Sequence, residues 1–267
     1  MTRTFQSLLL VLLTASTVAA GTISIRSSIQ AERRGGDLLL AVELGNAGDQ
    51  AAHQVQALLE VAGDRFAGPV HQQIAPEATR TERWQIPLSG KAPGRHPILL
   101  SVHYADANGY PFTALASAIF TIDHDVVSQL SARFLTPSLN LVAGAATSLE
   151  LVNLSRQPLQ LNLRLIGPRE LRLRPERARQ QLGPQQRAEV NVRLENLSAL
   201  TGSRYPIFAV VEYSRQSHYT TIAQGWVEIG ERRSLLPLLR YALYGVLLLL
   251  AAVISWRARR SRPGPGC

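Results

Sequence analysis

Three blocks of the sequence recur in the same order, and this internal repeat constrains the fold more than any other feature. Residues 42–46 match 149–153, residues 74–77 match 182–185, and residues 95–104 match 204–213. The three offsets are 107, 108 and 109 residues, so the spacing between blocks is nearly constant. Matches of this kind predict two copies of one domain, which we place at residues 21–126 and 127–234.

Each copy is predicted to consist of short strands joined by turns. Apolar and polar residues alternate within segments that are bounded by Gly, Pro, Asn and Asp. Residues 106–109, Asp-Ala-Asn-Gly, are typical of a hairpin turn. The predicted strands are 38–44, 55–61, 81–86, 98–104 and 112–122 in the first copy, and 148–152, 159–166, 188–194, 207–213 and 220–229 in the second.

The fold class that follows is all-β, with two tandem immunoglobulin-like β-sandwiches followed by a single transmembrane α-helix. Cys267 is the only cysteine, so no intrachain disulfide can form and each sandwich must rest on its apolar core. The core of the first copy is predicted to include Val42, Leu44, Trp84, Ile86, Leu100 and Val102.

The order of the repeated motifs resembles a known group of modules. An Asn-Ala-Gly follows an early strand at residues 46–48, a Pro-Glu or Pro-Gln turn comes next, and a Pro-Ile pair leads into a strand that ends in Tyr. This order is similar to bacterial and archaeal Ig-like modules of the CARDB and NEW type. The resemblance covers both copies and implies adhesion, spacer or complex-assembly domains on secreted or membrane-anchored proteins, without catalytic residues. The second copy has Ser-Arg-Gln-Ser at residues 214–217 in place of the Asp-Ala-Asn-Gly turn, so no function of that turn is carried over.

The chain begins and ends with apolar segments that predict export and membrane anchoring. Residues 1–20 have a basic Arg3, an apolar run and small residues before Gly21, which is the layout of a signal peptide; an uncleaved membrane anchor is the alternative. Residues 235–256 are long enough to cross a bilayer as a helix at about 1.5 Å per residue. A buried core helix is the alternative for this segment.

Basic and aromatic residues flank the predicted transmembrane helix. The basic tail, residues 257–267, predicts a cytoplasmic C-terminus and a periplasmic or extracellular ectodomain by the positive-inside rule. Cys267 in this tail is either an idle thiol, a palmitoylation site or an interchain partner. The predicted anchors at the membrane interface are Arg240, Tyr241, Tyr244, Trp256, Arg257, Arg259 and Arg260.

The net charge of +9 is placed in a way that argues against a nucleic-acid partner. Much of the excess flanks the predicted membrane segments, while the second copy carries a basic stretch of its own. If Leu171, Leu173 and Pro175 face inward, Arg172 and Arg174 share the outer face of a strand. This predicts a patch for lipid headgroups, an acidic glycan or an acidic partner, with a solvated face as the alternative. The patch consists of Arg164, Arg169, Arg172, Arg174, Arg177 and Arg179.

No segment predicts catalytic, cofactor or metal chemistry. The sequence has no His-Glu-x-x-His, Gly-x-Ser-x-Gly or Gly-rich phosphate loop. Residues 123–125, Asp-His-Asp, would point in opposite directions on an extended chain, so a polar linker is favoured over a metal site. Residues 106–109 lack the later acidic ligand of a calcium loop. Glycosylation sequons begin at Asn153 and Asn196.

These features predict a non-enzymatic, single-pass envelope protein without a cofactor. One helix would lie in the lipid bilayer, and the tandem ectodomain would contact another membrane or envelope protein as an accessory or scaffold subunit. A surface adhesin or glycan-binding module is the alternative, and it would need an exposed aromatic cluster. Trp84 and Trp226 lie in predicted strands and are expected in the core. An enzyme with an unrecognised site is a third possibility.

Overall fold

A computed structural model describes residues 21–142 and 144–230, together with four isolated helical positions at 245, 249, 250 and 253. Within these residues the chain forms sixteen β-strands. They are β1 (Ile25–Arg34), β2 (Asp37–Asn46), β3 (Ala52–Val61), β4 (Asp64–Ile74), β5 (Thr79–Pro87), β6 (Gly94–Ala105), β7 (Pro111–Ile122), β8 (Leu130–Phe134), β9 (Ser138–Leu141), β10 (Gly144–Asn153), β11 (Leu159–Ile166), β12 (Leu171–Arg174), β13 (Arg177–Leu182), β14 (Arg187–Asn196), β15 (Arg204–Ser214) and β16 (His218–Ile229).

The first domain is a sandwich of two antiparallel sheets. One sheet has the strand order β1-β2-β5. The other has the order β7-β6-β3-β4 and continues into a sheet of the second domain through one parallel pair, Gly94 of β6 with His218 of β16. Successive side chains of a strand face opposite sides, so alternate residues of β2, β5 and β6 meet between the sheets. The predicted core residues Val42, Leu44, Ile86, Leu100 and Val102 are all buried there.

The second domain repeats this plan with a larger number of strands. One sheet has the order β12-β14-β10-β8, and the other runs β13-β11-β15-β16, with β9 parallel to β16. Leucines from both sheets dominate its core. Representative buried residues are Leu149, Leu151, Leu161, Val192 and Ile207.

All ten predicted strands are present, and the β-sandwich prediction is confirmed. The alternation expected around Arg172 and Arg174 is correct for Leu171 and Leu173, which are buried in β12, whereas Pro175 lies after the strand and is half-buried. The prediction that Trp84 is a core residue is wrong in part, because Trp84 packs against the core of the first domain but stays half-buried. The sequence predicts no strand at β1, β4, β8, β9 and β13, most of which carry polar residues along much of their length.

The repeated sequence blocks build the same turn in both domains. Asn46 ends β2 and Asn153 ends β10, and both are buried. Each donates hydrogen bonds from Nδ2 to main-chain carbonyls of neighbouring loops and strands. Glu77 and Gln185, which follow the prolines of the matching turns, have φ values of 60° and 54°. The duplication is therefore structural as well as sequential.

The two domains differ along one edge. In the first domain β4 is a continuous strand of 11 residues that pairs with β3. In the second domain the corresponding chain is divided, because β12 pairs with β14 in one sheet and β13 pairs with β11 in the other. The chain crosses between the sheets at residues 175–176. Both β12 and β13 are the outermost strands of their sheets.

Several predictions concern the ends of the chain. The signal peptide (1–20), the basic tail (257–267), the interface anchors and most of the transmembrane helix (235–256) lie outside the described residues. In the part of the chain that the structure describes, no helix combines the length and apolar character needed to cross a membrane. Export and anchoring stay predictions.

Candidate functional site

The two domains meet along a seam that begins with main-chain contacts. His218 at the start of β16 donates its N–H to Pro93 O at 2.8 Å, and Thr220 donates its hydroxyl to Arg95 O at 3.0 Å. Gly94 has a φ of 122°, and a Cβ at this position would lie 2.1 Å from His218 O. Glycine is therefore required where the two main chains approach.

An ionic network crosses the same seam. Arg164 of β11 contacts Glu60 of β3 at 2.5 Å and Glu212 of β15 at 3.6 Å. His218 contacts Glu212 at 3.1 Å, and its ring stacks on His96 at a centroid distance of 4.3 Å. Burial raises the pKa of Glu212, but hydrogen bonding to His218 and the charge of Arg164 outweigh it, so the net pKa is lowered. The carboxylate form is thus favoured in the seam.

A second part of the seam contains the buried acidic residue Glu170, and no basic side chain forms a hydrogen bond with it among the described residues. Glu170, in the loop before β12, is 0% exposed, and no hydrogen bond of full geometry reaches its carboxylate in the part of the chain that the structure describes. Burial is the main cause that raises its pKa, which favours the neutral acid, although Thr113 of β7 lies close enough for hydrogen bonding to lower the pKa in part. Nearby, Tyr110 of the first domain donates its hydroxyl to Ser198 O of the second. The domains therefore contact each other at both ends of the seam.

The predicted basic patch is divided by the fold into separate surroundings. Arg164 belongs to the seam and is mostly buried, so it is not part of an outward patch. Arg169 is exposed in the loop before β12, and Arg172 pairs with Glu195 at 3.2 Å. Arg179 lines a polar groove on the outer face of β11 and β13. The other lining residues of that groove are Gln160, Leu161, Asn162, Gln180, Gln181 and Ser214.

Arg174 and Arg177 remain together, and the fold adds Arg193 and Asn191 of β14. These four residues, with Pro175 and Glu176, line a cleft of about 710 Å³ where the chain crosses between the sheets. We refer to this group as the arginine cleft. Arg174 lies directly opposite Arg193 in the β12–β14 ladder. Among the described residues, none of its three arginines has a carboxylate within 4.0 Å.

Arg193 and Asn191 were missed by the sequence prediction. The alternation of β14 places both on its outer face, and this signal was visible in the sequence. Their proximity to Arg174 depends on the register between β12 and β14, and alternation alone does not determine a register.

Other arginines on the outer face of this sheet are neutralised internally. Glu150 of β10 is buried between Arg133 at 2.6 Å and Arg187 at 3.0 Å. The hydrogen bond from Arg133 is the main cause that lowers the pKa of Glu150. These arginines stabilise the sheet and leave their charge less available to a ligand.

The remaining candidates have structural surroundings. Trp226 is half-buried beneath the guanidinium of Arg204, which lies 4.4 Å from the ring centroid, so neither it nor Trp84 is the fully buried residue expected. Asn153 is 0% exposed, so its sequon is inaccessible in the folded chain. Asp123 pairs with Arg33 at 2.6 Å, and His124 contacts Ser217 at 3.1 Å. No cluster of three metal-ligating side chains occurs in residues 21–142 and 144–230.

The fold and the site together define a two-domain, all-β protein of the immunoglobulin-like sandwich class with a basic cleft on its second domain. A scan with protein-family models and a search of curated proteins give no match to this chain.

A search of solved structures finds matches at low sequence identity. The native conformation of E. coli alpha-2-macroglobulin aligns with 78% of this chain and 17% of its own, at 12% identity and a TM-score of 0.32. Red sea bream transglutaminase aligns with 79% of this chain and 31% of its own, at 12% identity and a TM-score of 0.30. A mutant of Salmonella alpha-2-macroglobulin covers 78% and 16%, at 12% identity and a TM-score of 0.33. This chain spans less than a third of the length of each of these proteins.

Proposed function

We propose that this protein is a non-enzymatic docking subunit of the cell envelope. Residues 1–20 direct its export, residues 235–256 hold it in a membrane, and the two sandwiches contact a partner protein as an accessory or scaffold element. The basic tail, residues 257–267, stays in the cytoplasm.

The observation that carries this proposal is the seam between the domains. Arg164 bridges Glu60 and Glu212, and main-chain hydrogen bonds join His218 to Pro93. Two domains held in this way present their outer surfaces in one fixed arrangement. A preorganised surface loses less conformational entropy on binding, which favours protein docking over a flexible spacer role.

A glycan-binding role is the second candidate, and the polar groove around Arg179 favours it. Amide side chains such as Gln160 and Asn162 can hydrogen-bond sugar hydroxyls. The residues that line this groove include no aromatic ring on which a sugar could stack. We therefore place glycan binding behind protein docking.

Affinity isolation tests the docking function. The full chain with a C-terminal tag is crosslinked in intact cells, extracted in detergent and purified, and we expect a reproducible envelope protein to accompany it. The Arg164→Ala variant should recover less of this partner because the relative position of the domains is loosened. Arg80→Ala, which removes an exposed arginine of β5, is the control. Failure to recover any reproducible partner with the wild-type chain would contradict the proposal.

A further inference from the structure

We infer that the arginine cleft binds an extended acidic segment of a partner protein, with carboxylates held between Arg174 and Arg193. The inference rests on the proposed docking function and specifies the chemistry of the partner. It starts from two cross-strand pairs on the outer face of the β12–β14 ladder. Arg172 faces Glu195 and pairs with it, whereas Arg174 faces Arg193. Like charges directly opposite each other destabilise a sheet, and an anion bound between them removes this repulsion.

The sheet contains acidic residues but does not use them here. Glu150 pairs with Arg133 and Arg187, and Glu195 pairs with Arg172. With Glu189 of β14, the sheet apart from the cleft has three acidic and three basic residues. Within the described chain, Arg174, Arg177 and Arg193 are left without an ion pair, and Glu176 is the one acidic residue in the lining of the cleft. The cleft is therefore a local surplus of positive charge in a sheet that is otherwise balanced.

The shape of the cleft favours an extended peptide. It lies between β12 and β13, which are the outermost strands of their sheets and leave one side of each main chain without a strand partner. A peptide can hydrogen-bond to such an edge, as in β-strand addition. Alternate side chains of an extended chain lie on one face, about 6.6 Å apart, so alternating acidic residues present a row of carboxylates. The planar guanidinium groups of Arg174 and Arg193 suit such carboxylates because each can donate two parallel hydrogen bonds.

The position of the cleft favours a protein over a membrane surface. The chain leaves the second domain after Ile229, at the end of the sandwich toward which β14 also runs. The neutral Arg172–Glu195 pair lies between the cleft and that end. Anionic headgroups at the predicted membrane would meet this neutral pair before the concave site.

Peptide binding to the detergent-solubilised full chain tests the inference. The probe is a fluorescein-labelled peptide that alternates Thr and Glu, and binding is followed by fluorescence anisotropy. The variant Arg174→Ser/Arg193→Ser should bind it at least about tenfold more weakly, because charge-assisted hydrogen bonds are lost. The variant Arg172→Ser/Glu195→Ser leaves the net charge unchanged and should bind within about twofold of wild type. A melting temperature of the first variant equal to or above that of wild type shows that it folds.

The possible outcomes separate the sources of the anion. Equal binding of a Thr-Gln peptide, or complete competition by equimolar inorganic phosphate, would overturn the assignment to an acidic peptide. Binding to phosphatidylglycerol vesicles that depends on Arg174 and Arg193, without peptide binding, would overturn it in favour of a membrane. Full recovery of the partner from cells by the Arg174→Ser/Arg193→Ser variant would reject the cleft but keep the docking function. Absence of a partner with wild type would reject the docking function itself.

Discussion

In the first domain β4 continues unbroken along β3, whereas in the second domain the corresponding chain divides into β12 and β13 and changes sheets. The turns around Asn46 and Asn153 are nevertheless the same in both domains. The repeated residues therefore maintain the sandwich, while the cleft proposed for binding lies where the two copies have diverged. A repeat identifies the scaffold, and a departure from it is the place to search for function.

In the first domain, side-chain contacts join the undivided strand β4 to β5 of the opposite sheet. Glu82 of β5 is buried and contacts His71 of β4 at 2.8 Å. A Cβ on Gly68 would lie 2.0 Å from Glu82 Oε2, so glycine makes room for this carboxyl group. In the second domain Arg174 and Arg177 flank an open cleft instead.

The strongest test of the shared scaffold is removal of its buried asparagines. Asn46→Ala and Asn153→Ala should each lower the free energy of unfolding by about 2–3 kcal/mol, because buried carbonyls lose their donors. The exposed Asn191→Ala should change it by at most about 0.5 kcal/mol. Urea unfolding of the full chain provides the measurement. A large loss for one buried asparagine and none for the other would break the structural equivalence of the domains.

Loosening the seam should have the next largest effect. Arg164→Ala leaves Glu60 and Glu212 close together without the guanidinium that separates them. The substitution should lower the free energy of unfolding by about 2 kcal/mol, which is less than for a completely buried ion pair because solvent reaches part of this network. Calorimetry should show the two domains unfolding in separate transitions in this variant. A single transition identical to that of wild type would mean that the network does not couple the domains.

The carboxyl groups of buried Glu82 and half-buried Glu212 predict opposite pH dependences. Burial is the main cause that raises the pKa of Glu82 above 4.5. The contribution of Glu82 to the stability of the fold is therefore complete below pH 4.5 and is lost as pH rises through the folded pKa. The pKa of Glu212 is lowered, so its contribution is present above 4.5 and is lost as pH falls through the folded pKa.

Melting temperatures measured from acidic to neutral pH test these signs. As pH rises, the melting temperature of Glu82→Gln should increase relative to that of wild type. The melting temperature of Glu212→Gln should decrease relative to that of wild type. Parallel pH profiles for the two variants would show that one of the environments is wrongly assigned.

Much of the scaffold could be predicted because it follows from local patterns. Apolar runs bounded by turn residues identify β2, β6 and β15, and the repeat places the turns at Asn46 and Asn153. Five of the edge strands, β1, β4, β8, β9 and β13, could not be predicted, because one side of them meets solvent and the apolar signal is weak. The same limit applies to the site. Arg174 was found from its own strand, but Arg193 lies nineteen positions later and joins it through strand register.

The smallest expected effect on the free energy of unfolding concerns the like-charged pair Arg174–Arg193. Arg193→Ser should raise the free energy of unfolding by up to about 0.5 kcal/mol, because it removes a like charge opposite Arg174. Glu195→Gln, two residues along the same strand, should lower it by a similar amount because Arg172 loses its partner. Thermal melts at low ionic strength will resolve the difference best, since salt screens both effects. If both substitutions destabilise the chain equally, Arg193 has a structural role.

Site-specific photo-crosslinking in living cells tests the central claim most directly. A photoreactive amino acid at position 191 lies in the arginine cleft, and the same residue at position 83 occupies the matching outer-face position of the first domain. The account predicts an adduct with an acidic envelope protein from position 191, reduced by Arg174→Ser/Arg193→Ser, and none from position 83. Equal adducts from both positions, or none from position 191, would contradict a docking site at the divided edge.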